Sequence, residues 1–260
     1  MDREEFARLN ALEETFWWFA GMREITASLL DPVCPPGSAR TVLDAGCGTG
    51  WNLGWLRRYA GDGRVVGVDV EPLAVEFSRA RHRDDVLQAS VLDLPFPEST
   101  FDLVTSFDVL PQLPGEGTDE LALREMCRVL RTGGVVFVRA AAYEWLRSSH
   151  DQALATHRRY RLSTLVDGVS RAGFEVVRTT YANTVLLPLA VLHRLVLKRV
   201  GLAAPGSDVR PLPQRLEWVE GVLAAALRLE ARILRKAPAS LPFGLSAICV
   251  ARKPHTAGQR

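Results

Sequence analysis

The residues best suited to chemistry form one glycine-rich stretch in the first quarter of the chain. An acid, Asp44, ends a short apolar run and precedes three glycines at alternate positions, Gly46, Gly48 and Gly50. Glycine permits backbone conformations that other residues avoid, and it lets a ligand approach the main chain closely. The stretch therefore predicts a loop that binds either a pyrophosphate dinucleotide or a smaller nucleoside.

The spacing of this loop separates the two ligand types. In a dinucleotide loop, counted from Gly46, the third glycine falls where this chain has Trp51. An acid before the glycines suits a cationic amine or sulfonium better than a pyrophosphate. A second acid, Asp69, lies about 20 residues further on, where a carboxylate can accept ribose hydroxyls. The pattern favours S-adenosylmethionine, and a nicotinamide enzyme is disfavoured by Trp51.

Residues 41–50 and 64–70 resemble the first motifs of the class I S-adenosylmethionine-dependent methyltransferases. The resemblance covers residues 12–253 and is strongest in 41–110. It implies S-adenosyl-L-methionine as cofactor and S-adenosyl-L-homocysteine as product. It also implies an α/β, Rossmann-like fold with helices on both faces of a seven-stranded, mostly parallel sheet whose last strand is antiparallel.

The resemblance also implies further cofactor contacts. The family's acid that meets the adenine amino group aligns with Ser90, and the Val91 backbone and Asp93 stay open as alternatives. Phe107 ends the fourth predicted strand, at the edge where open α/β sheets bind ligands. The expected cofactor contacts are Asp44, Gly46, Gly48, Gly50, Asp69, Ser90, Val91, Asp93, Phe107 and Trp17.

Trp17 belongs to an aromatic run at residues 16–19, within a predicted pair of N-terminal helices. The surrounding sequence is similar to an opening found in a bacterial subgroup of these methyltransferases. Aromatic faces suit both a sulfonium and an adenine ring, so residues 1–36 are predicted to form a helical lid. Plain packing of these helices onto the core is the equal alternative.

The segment 141–161 concentrates the candidates for catalysis. His150, Asp151 and His157 are the candidate catalytic residues, because an imidazole beside a carboxylate can serve as an oriented base. A helix over 151–157 would place both histidines on one face. The segment is similar to a string in the same subgroup, and the alternative is that its histidines cap loops. Predicted substrate contacts are Arg159, Tyr160 and Gln112, the last standing where the family commonly has histidine.

The domain plan follows from this pattern. Residues 37–183 are predicted to form the cofactor-binding core, and 241–260 the last strand and a polar tail. Between them, residues 184–240 are a predicted helical insertion with helices at 185–200 and 214–236. The insertion is expected to form a substrate-pocket wall or a homodimer surface, with peripheral membrane contact a less favoured use.

Composition limits the remaining choices. The formal charge of +2 on 260 residues is too small to indicate nucleic acid or an anionic membrane as a partner. Four cysteines without CxxC pairs or metal-ligand spacing predict a reduced compartment and no metal site. No secretory signal and no apolar run of bilayer length are visible, so a cytoplasmic location is expected.

The resulting prediction is a methyltransferase for a small acceptor that is hydrophobic and partly anionic, such as a natural-product or lipid-linked intermediate. Transfer to oxygen or carbon is expected ahead of nitrogen. The alternative is a protein that binds S-adenosylmethionine without transferring methyl, as a cyclase, a decarboxylase or a regulatory module, since a fold does not fix a function.

Overall fold

The computed structural model describes residues 3–83, 85–193, 217–236 and 240–255. Its centre is a seven-stranded sheet in the order β3-β2-β1-β4-β5-β7-β6. The strands are β1 (Thr41–Ala45), β2 (Arg64–Asp69), β3 (Val86–Gln88), β4 (Phe101–Phe107), β5 (Leu130–Ala141), β6 (Glu175–Ala182) and β7 (Ser246–Arg252). β7 runs antiparallel to β5 and β6, whereas β1 to β5 pair in parallel. The predicted Rossmann-like sheet with an antiparallel last strand is confirmed.

Nine α-helices are described around this sheet. They are α1 (Arg3–Leu12), α2 (Trp17–Leu30), α3 (Trp51–Ala60), α4 (Pro72–Ala80), α5 (Thr118–Val129), α6 (Ser149–Ala153), α7 (Leu162–Arg171), α8 (Leu187–Val191) and α9 (Glu217–Lys236). Among the residues described, none of the helices is both long enough and apolar enough to cross a membrane.

The order of the strands decides where a ligand can bind. The chain winds outward from β1 through β2 to β3, then returns to place β4 on the other side of β1. The strand order therefore reverses between β1 and β4. A crevice forms beyond the carboxyl ends of these two strands, which is the usual position of a ligand in such sheets. Asp44 lies at this point, in register with Gly67 of β2 and Thr105 of β4.

The N-terminal helices and the insertion meet on one face of the sheet. Helix α9 packs along α2, and a Cβ added at Gly21 would lie 2.5 Å from Cδ1 of Leu227. Gly21 therefore allows the two helices a close approach. The buried half of α2 includes Met22, Ile25 and Leu29, which join the core. Packing onto the core thus accounts for most of α2.

Some boundaries differ from those that the sequence predicts. The apolar run VVFVRA predicts a strand from residue 135, whereas β5 begins at Leu130, directly after α5, because the chain pairs with Phe101 before its register shifts. Residues 71–83, which open with Glu71-Pro72, predict a helix, and α4 ends at Ala80. The second predicted insertion helix is present as Glu217–Lys236, and the first is described over Leu187–Val191. Residues 194–216, with the rest of that helix and its loop, lie outside the described residues.

Candidate active site

The three glycines of the loop all have positive φ, but they serve different purposes. Their φ angles are +88° at Gly46, +53° at Gly48 and +77° at Gly50. A Cβ on Gly46 would lie 2.2 Å from Cγ2 of Val109, and one on Gly50 would lie 2.4 Å from Oγ of Ser78. A Cβ on Gly48 would meet no atom within 4 Å in the part of the chain described. Gly46 and Gly50 thus have no room for a side chain, whereas the surface over Gly48 is open.

Asp44 is a buried acid with an unused oxygen. Its Oδ1 accepts a hydrogen bond from the Thr105 hydroxyl at 2.8 Å. Its Oδ2 is buried and has no hydrogen-bond partner among the described residues. Burial raises the pKa of Asp44 to about 7; the Thr105 hydrogen bond opposes this rise and the nearby Asp69 charge adds to it. A ligand cation would satisfy this oxygen.

Asp69 is oriented by the glycine loop itself. Its Oδ2 accepts the N–H of Gly48 at 2.9 Å, and its Oδ1 accepts the N–H of Glu71 at 3.0 Å. Burial raises the pKa of Asp69, and the two backbone hydrogen bonds oppose the rise. Each carboxylate oxygen keeps further acceptor capacity, as a contact with hydroxyl groups would need.

The three candidates for the adenine contact follow β3 in one turn. Oγ of Ser90 accepts the N–H of Leu92 at 3.1 Å. Val91 is buried in the core, and the Asp93 side chain is exposed. The contact of each with adenine remains a prediction.

A cavity of about 530 Å³ lies at the carboxyl edge of the sheet, next to the glycine loop. The sheet edge and its loops contribute Gly46, Gly48, Phe107, Asp108, Gln112, Arg139, His150 and Arg159; α2 and the turn before it contribute Glu13, Phe16, Trp17, Trp18, Met22 and Arg23; the insertion contributes Leu186, Leu189, His193 and Leu223. Charged and apolar side chains both line the cavity, and most of its surface is apolar. The N-terminal aromatic run therefore covers the cavity as well as packing on the core.

Arg139 is a cation of the cavity that the sequence patterns did not single out. Its Nη2 lies 2.7 Å from Oδ2 of Asp108, and its guanidinium lies 5.5 Å from the ring centre of Trp18 and 5.2 Å from that of Phe107. The available signal was an arginine in the otherwise apolar strand run VVFVRA. Such a charge requires a partner when it is buried.

Arg23 was also missed. It lies on α2, about one turn after the aromatic run at residues 16–19, and its Nη1 is buried without a hydrogen-bond partner in the described chain. Burial lowers the pKa of Arg23, and the charge of Glu13 opposes this. Trp17 has a buried Nε1 in the same condition. A ligand anion near α2 would satisfy the arginine.

The predicted helix over 151–157 is wrong, since α6 ends at Ala153. Ala155 takes a φ of +52°, which breaks the helix. His157 is consequently exposed, and its N–H donates to the carbonyl of Pro111 at 2.7 Å. His150, near the start of α6, does line the cavity. The two histidines therefore do not share a helix face.

Asp151 holds Arg159 in place. Nε of Arg159 donates to Oδ1 of Asp151 at 2.6 Å, and the two side chains are 3% and 1% exposed. The other oxygen of Asp151 accepts the N–H of Ser148 at 2.8 Å, which caps α6. Burial alone would raise the pKa of Asp151, but the Arg159 hydrogen bond and charge outweigh it and the pKa lies below its usual value. Asp151 is thus an anchor for Arg159.

Tyr160 is placed in the core rather than at the cavity. It is buried, its N–H donates to the carbonyl of Ala141, and its hydroxyl donates to Asp119 at 2.9 Å. The bridge between residues 142 and 160 turns the side chain inward. Its predicted contact with substrate is therefore not supported by its position, whereas Gln112 and Arg159 do line the cavity.

The Asp151–Arg159 pair yields a stability prediction. Replacing Arg159 with glutamine should lower the free energy of unfolding by about 3–5 kcal/mol, because it leaves a buried carboxylate unpaired. The double variant Asp151→Asn/Arg159→Gln should recover most of that loss. Urea unfolding measures both. As a control, Arg124→Gln breaks an exposed pair with Glu120 and should cost less than about 0.5 kcal/mol. Equal losses in the single and double variants would contradict the prediction.

Similarity to known proteins shows the family to which the chain belongs. A profile described as a methyltransferase domain matches residues 43–138. A malonyl-[acyl-carrier protein] O-methyltransferase of Herminiimonas arsenicoxydans is 30% identical over 241 residues, which are 89% of this chain and 88% of the relative. This chain belongs to the S-adenosylmethionine-dependent methyltransferases.

Two further similarities agree with this assignment. A probable S-adenosylmethionine-dependent methyltransferase of Mycolicibacterium smegmatis is 29% identical to this methyltransferase over 231 residues, 85% of this chain and 83% of the relative. A methyltransferase solved in complex with the Trm112 activator of Haloferax volcanii has a TM-score of 0.60 at 21% identity, covering 98% of this chain and 96% of that one. The second similarity concerns the fold alone.

The cofactor of this methyltransferase is S-adenosylmethionine, and the site fits it. The cofactor carries a sulfonium, an ammonium and a carboxylate. Asp44 has a buried acceptor oxygen without a hydrogen-bond partner among the described residues, and Arg23 has a buried donor nitrogen in the same position. The surface over Gly48 is open, so a ligand can approach the main chain there. The predicted cofactor is confirmed by the family, and the individual contacts remain predictions.

Proposed function

We propose that this methyltransferase transfers a methyl group to an oxygen or carbon of a small acceptor with an apolar body and an anionic group. The observation that supports it is the cavity beside the glycine loop. Most of its surface is apolar, while Arg139 and Arg159 place two guanidinium groups in its lining. Such a lining suits an apolar chain that ends in a carboxylate or a similar anion.

The cofactor would be held by residues of the loop and of α2. In the proposal, Asp44 lies against its cationic part, Arg23 against its carboxylate, and Asp69 against the ribose hydroxyls. The surface over Gly48 lets the cofactor approach the main chain. The other proposed contacts are Gly46, Gly50, Ser90, Val91, Asp93, Phe107 and Trp17.

The bound cofactor supplies a methyl group on a sulfonium, which is already a good leaving group. The main task of the protein is to hold the acceptor in line with that methyl group and to exclude water. Well-oriented reactants gain about 7–11 kcal/mol from such positioning. Trp17 and Trp18 cover the cavity, and the guanidinium of Arg139 is packed between Trp18 and Phe107, so its position is constrained.

A base is needed only when the attacking atom carries a proton. His150 is the proposed base, because it lines the cavity in which the acceptor would bind. Asp151 is not proposed to orient it, since Arg159 and the N–H of Ser148 take its two oxygens. His157 is not proposed, since its side chain is exposed. A carboxylate acceptor would need no base at all.

The name of the Herminiimonas relative states an acyl acceptor methylated on oxygen. An acyl chain with a terminal carboxylate combines the two properties that the cavity of this methyltransferase suits. This agreement supports oxygen as the attacking atom ahead of carbon.

Pairs of an acid and its neutral amide test the proposal. The purified protein and methyl-labelled cofactor are incubated with a medium-chain fatty acid, a malonyl thioester and a long-chain 3-hydroxy acid, each beside its neutral amide analogue. At least one acid should accept label about tenfold faster than its amide. The 3-hydroxy pair keeps the same attacking hydroxyl, so a difference there reports the charge-assisted hydrogen bonds that the carboxylate can form with the cavity arginines. Equal labelling of the acids and amides, or labelling confined to uncharged polar acceptors, would contradict the proposal.

The same acceptors test His150. The His150→Gln variant should reduce transfer to a hydroxyl acceptor by about 10²–10⁴-fold and leave transfer to a carboxylate within a few fold. A uniform loss across the two acceptor types would assign His150 to binding instead.

A further inference from the structure

Helix α9 carries a second apolar face that the fold does not bury. Trp218, Val222, Leu229 and Ile233 are 70%, 56%, 57% and 46% exposed. At 100° per residue these four side chains fall within about 60° of arc and run along most of a helix about 30 Å long. We call them the outer strip. The opposite side of α9, with Leu227, packs against α2.

The charges around the outer strip are basic from residue 221 to the end of α9, whereas Glu217 and Glu220 lie at the start of the helix. Arg228, Arg232, Arg235 and Lys236 are exposed on the same helix. Between residues 221 and 236 the sequence has one acid, Glu230, and that acid is buried. Its two oxygens accept the N–H groups of Asn183 at 2.7 Å and Thr184 at 3.0 Å. Glu230 therefore contributes to the packing of the insertion, and the exposed charges of α9 from residue 221 onward are basic.

This charge pattern selects among partners. A second copy paired through the part of this face from residue 221 onward would bring arginines of one helix near arginines of the other, and like charges repel. An anionic lipid surface complements both parts of the face, since basic side chains attract lipid phosphates and apolar side chains enter the interface. Tryptophan is a residue typical of that interface.

We propose that the outer strip and its basic border form a docking surface for an anionic lipid bilayer. The binding is peripheral, with the axis of α9 parallel to the membrane. The cavity adjoins this surface: Leu223 of α9 lines it, and so does Leu189 of α8, which is 50% exposed. Docking would place the edge of the cavity at Leu189 and Leu223 near the lipid, and an apolar acceptor could then enter the cavity from the bilayer. The docking itself does not depend on the proposed acceptor.

Vesicle sedimentation of the full chain tests the proposal. Vesicles of phosphatidylcholine alone are compared with vesicles that also contain phosphatidylglycerol. The protein should partition onto the anionic vesicles at least about fivefold more strongly, and added salt should reduce the difference. The strip variant Trp218→Ser/Leu229→Ser and the border variant Arg228→Gln/Arg232→Gln should each lose most of the binding.

A matched control keeps the test specific. Leu121 on α5 is 46% exposed, and Leu121→Ser should bind vesicles like the unaltered protein. All the altered side chains are exposed, so melting temperatures should stay close to that of the unaltered protein, which calorimetry checks. Equal binding by the strip variant, or no preference for anionic vesicles, overturns the proposal. Light scattering that shows a dimer, converted to monomer by the strip variant without vesicle binding, would assign the face to a second copy and also overturn it.

Discussion

The Gly48→Ala variant is expected to keep its fold and lose at least about tenfold in affinity for S-adenosylhomocysteine, or about 1.4 kcal/mol. Gly48 has a φ of +53°, so alanine costs about 1–2 kcal/mol of stability. Its Cβ would meet no described atom within 4 Å and would point into the open surface of the loop. The new methyl group would therefore occupy space assigned to the cofactor. Isothermal titration calorimetry measures the affinity, and scanning calorimetry the stability.

Gly37 provides the matched control. Its φ is +89°, and a Cβ there also meets nothing within 4 Å in the described chain, but it lies in the loop before β1. Gly37→Ala should show a similar loss of stability and unchanged affinity. If the Gly48 and Gly37 variants bind the ligand equally well, the surface over Gly48 is not the cofactor site.

Affinity for S-adenosylhomocysteine should rise about tenfold between pH 6 and pH 7.5. The pKa of Asp44 is about 7 in the free protein, so most of its carboxyl groups are protonated at pH 6. A ligand with a cationic amine binds the ionised form, and at low pH binding must first release a proton. Affinity therefore falls as the pH drops below 7. Calorimetric titrations across this range, in buffers of different ionisation enthalpy, measure the affinity and the released proton.

Two variants identify the group that titrates. Asp44→Asn should weaken binding and flatten its pH dependence, because the amide stays neutral and can still accept the Thr105 hydroxyl. The other charged groups that act on Asp44 are Asp69, Arg139 and Glu13. Burial also raises the pKa of Asp69, so Asp69→Asn is the necessary comparison. A pH dependence that persists in Asp44→Asn but vanishes in Asp69→Asn would assign the effect to Asp69.

Local patterns predicted the parts of the site that one short segment builds. Residues 41–50 contain both the strand that ends at Ala45 and the glycines that turn into α3, so their spacing carries the geometry. The positive φ at all three glycines matches that prediction. The sheet followed from the same segment through its family resemblance.

Predictions that required the end of a helix or the direction of a side chain did less well. The local sequence does not show that Asp151 binds Arg159 and caps α6 with its carboxylate. The helix stops there, and His157 turns to solvent. Tyr160 is buried through a bridge with Ala142. The two residues are too far apart along the chain for a local pattern to predict their pairing.

The sequence alone determined the glycine loop and its two acids, because the spacing of residues within a short segment specifies them, and the class of fold followed from the family resemblance. Only the tertiary structure decided which charges enter the cavity and which apolar faces stay exposed. Arg139 meets Trp18, and Gly21 meets Leu227, across more than a hundred residues. Burial of that kind is a property of packed surfaces, and the outer strip of α9 is visible only once its opposite side is seen against α2.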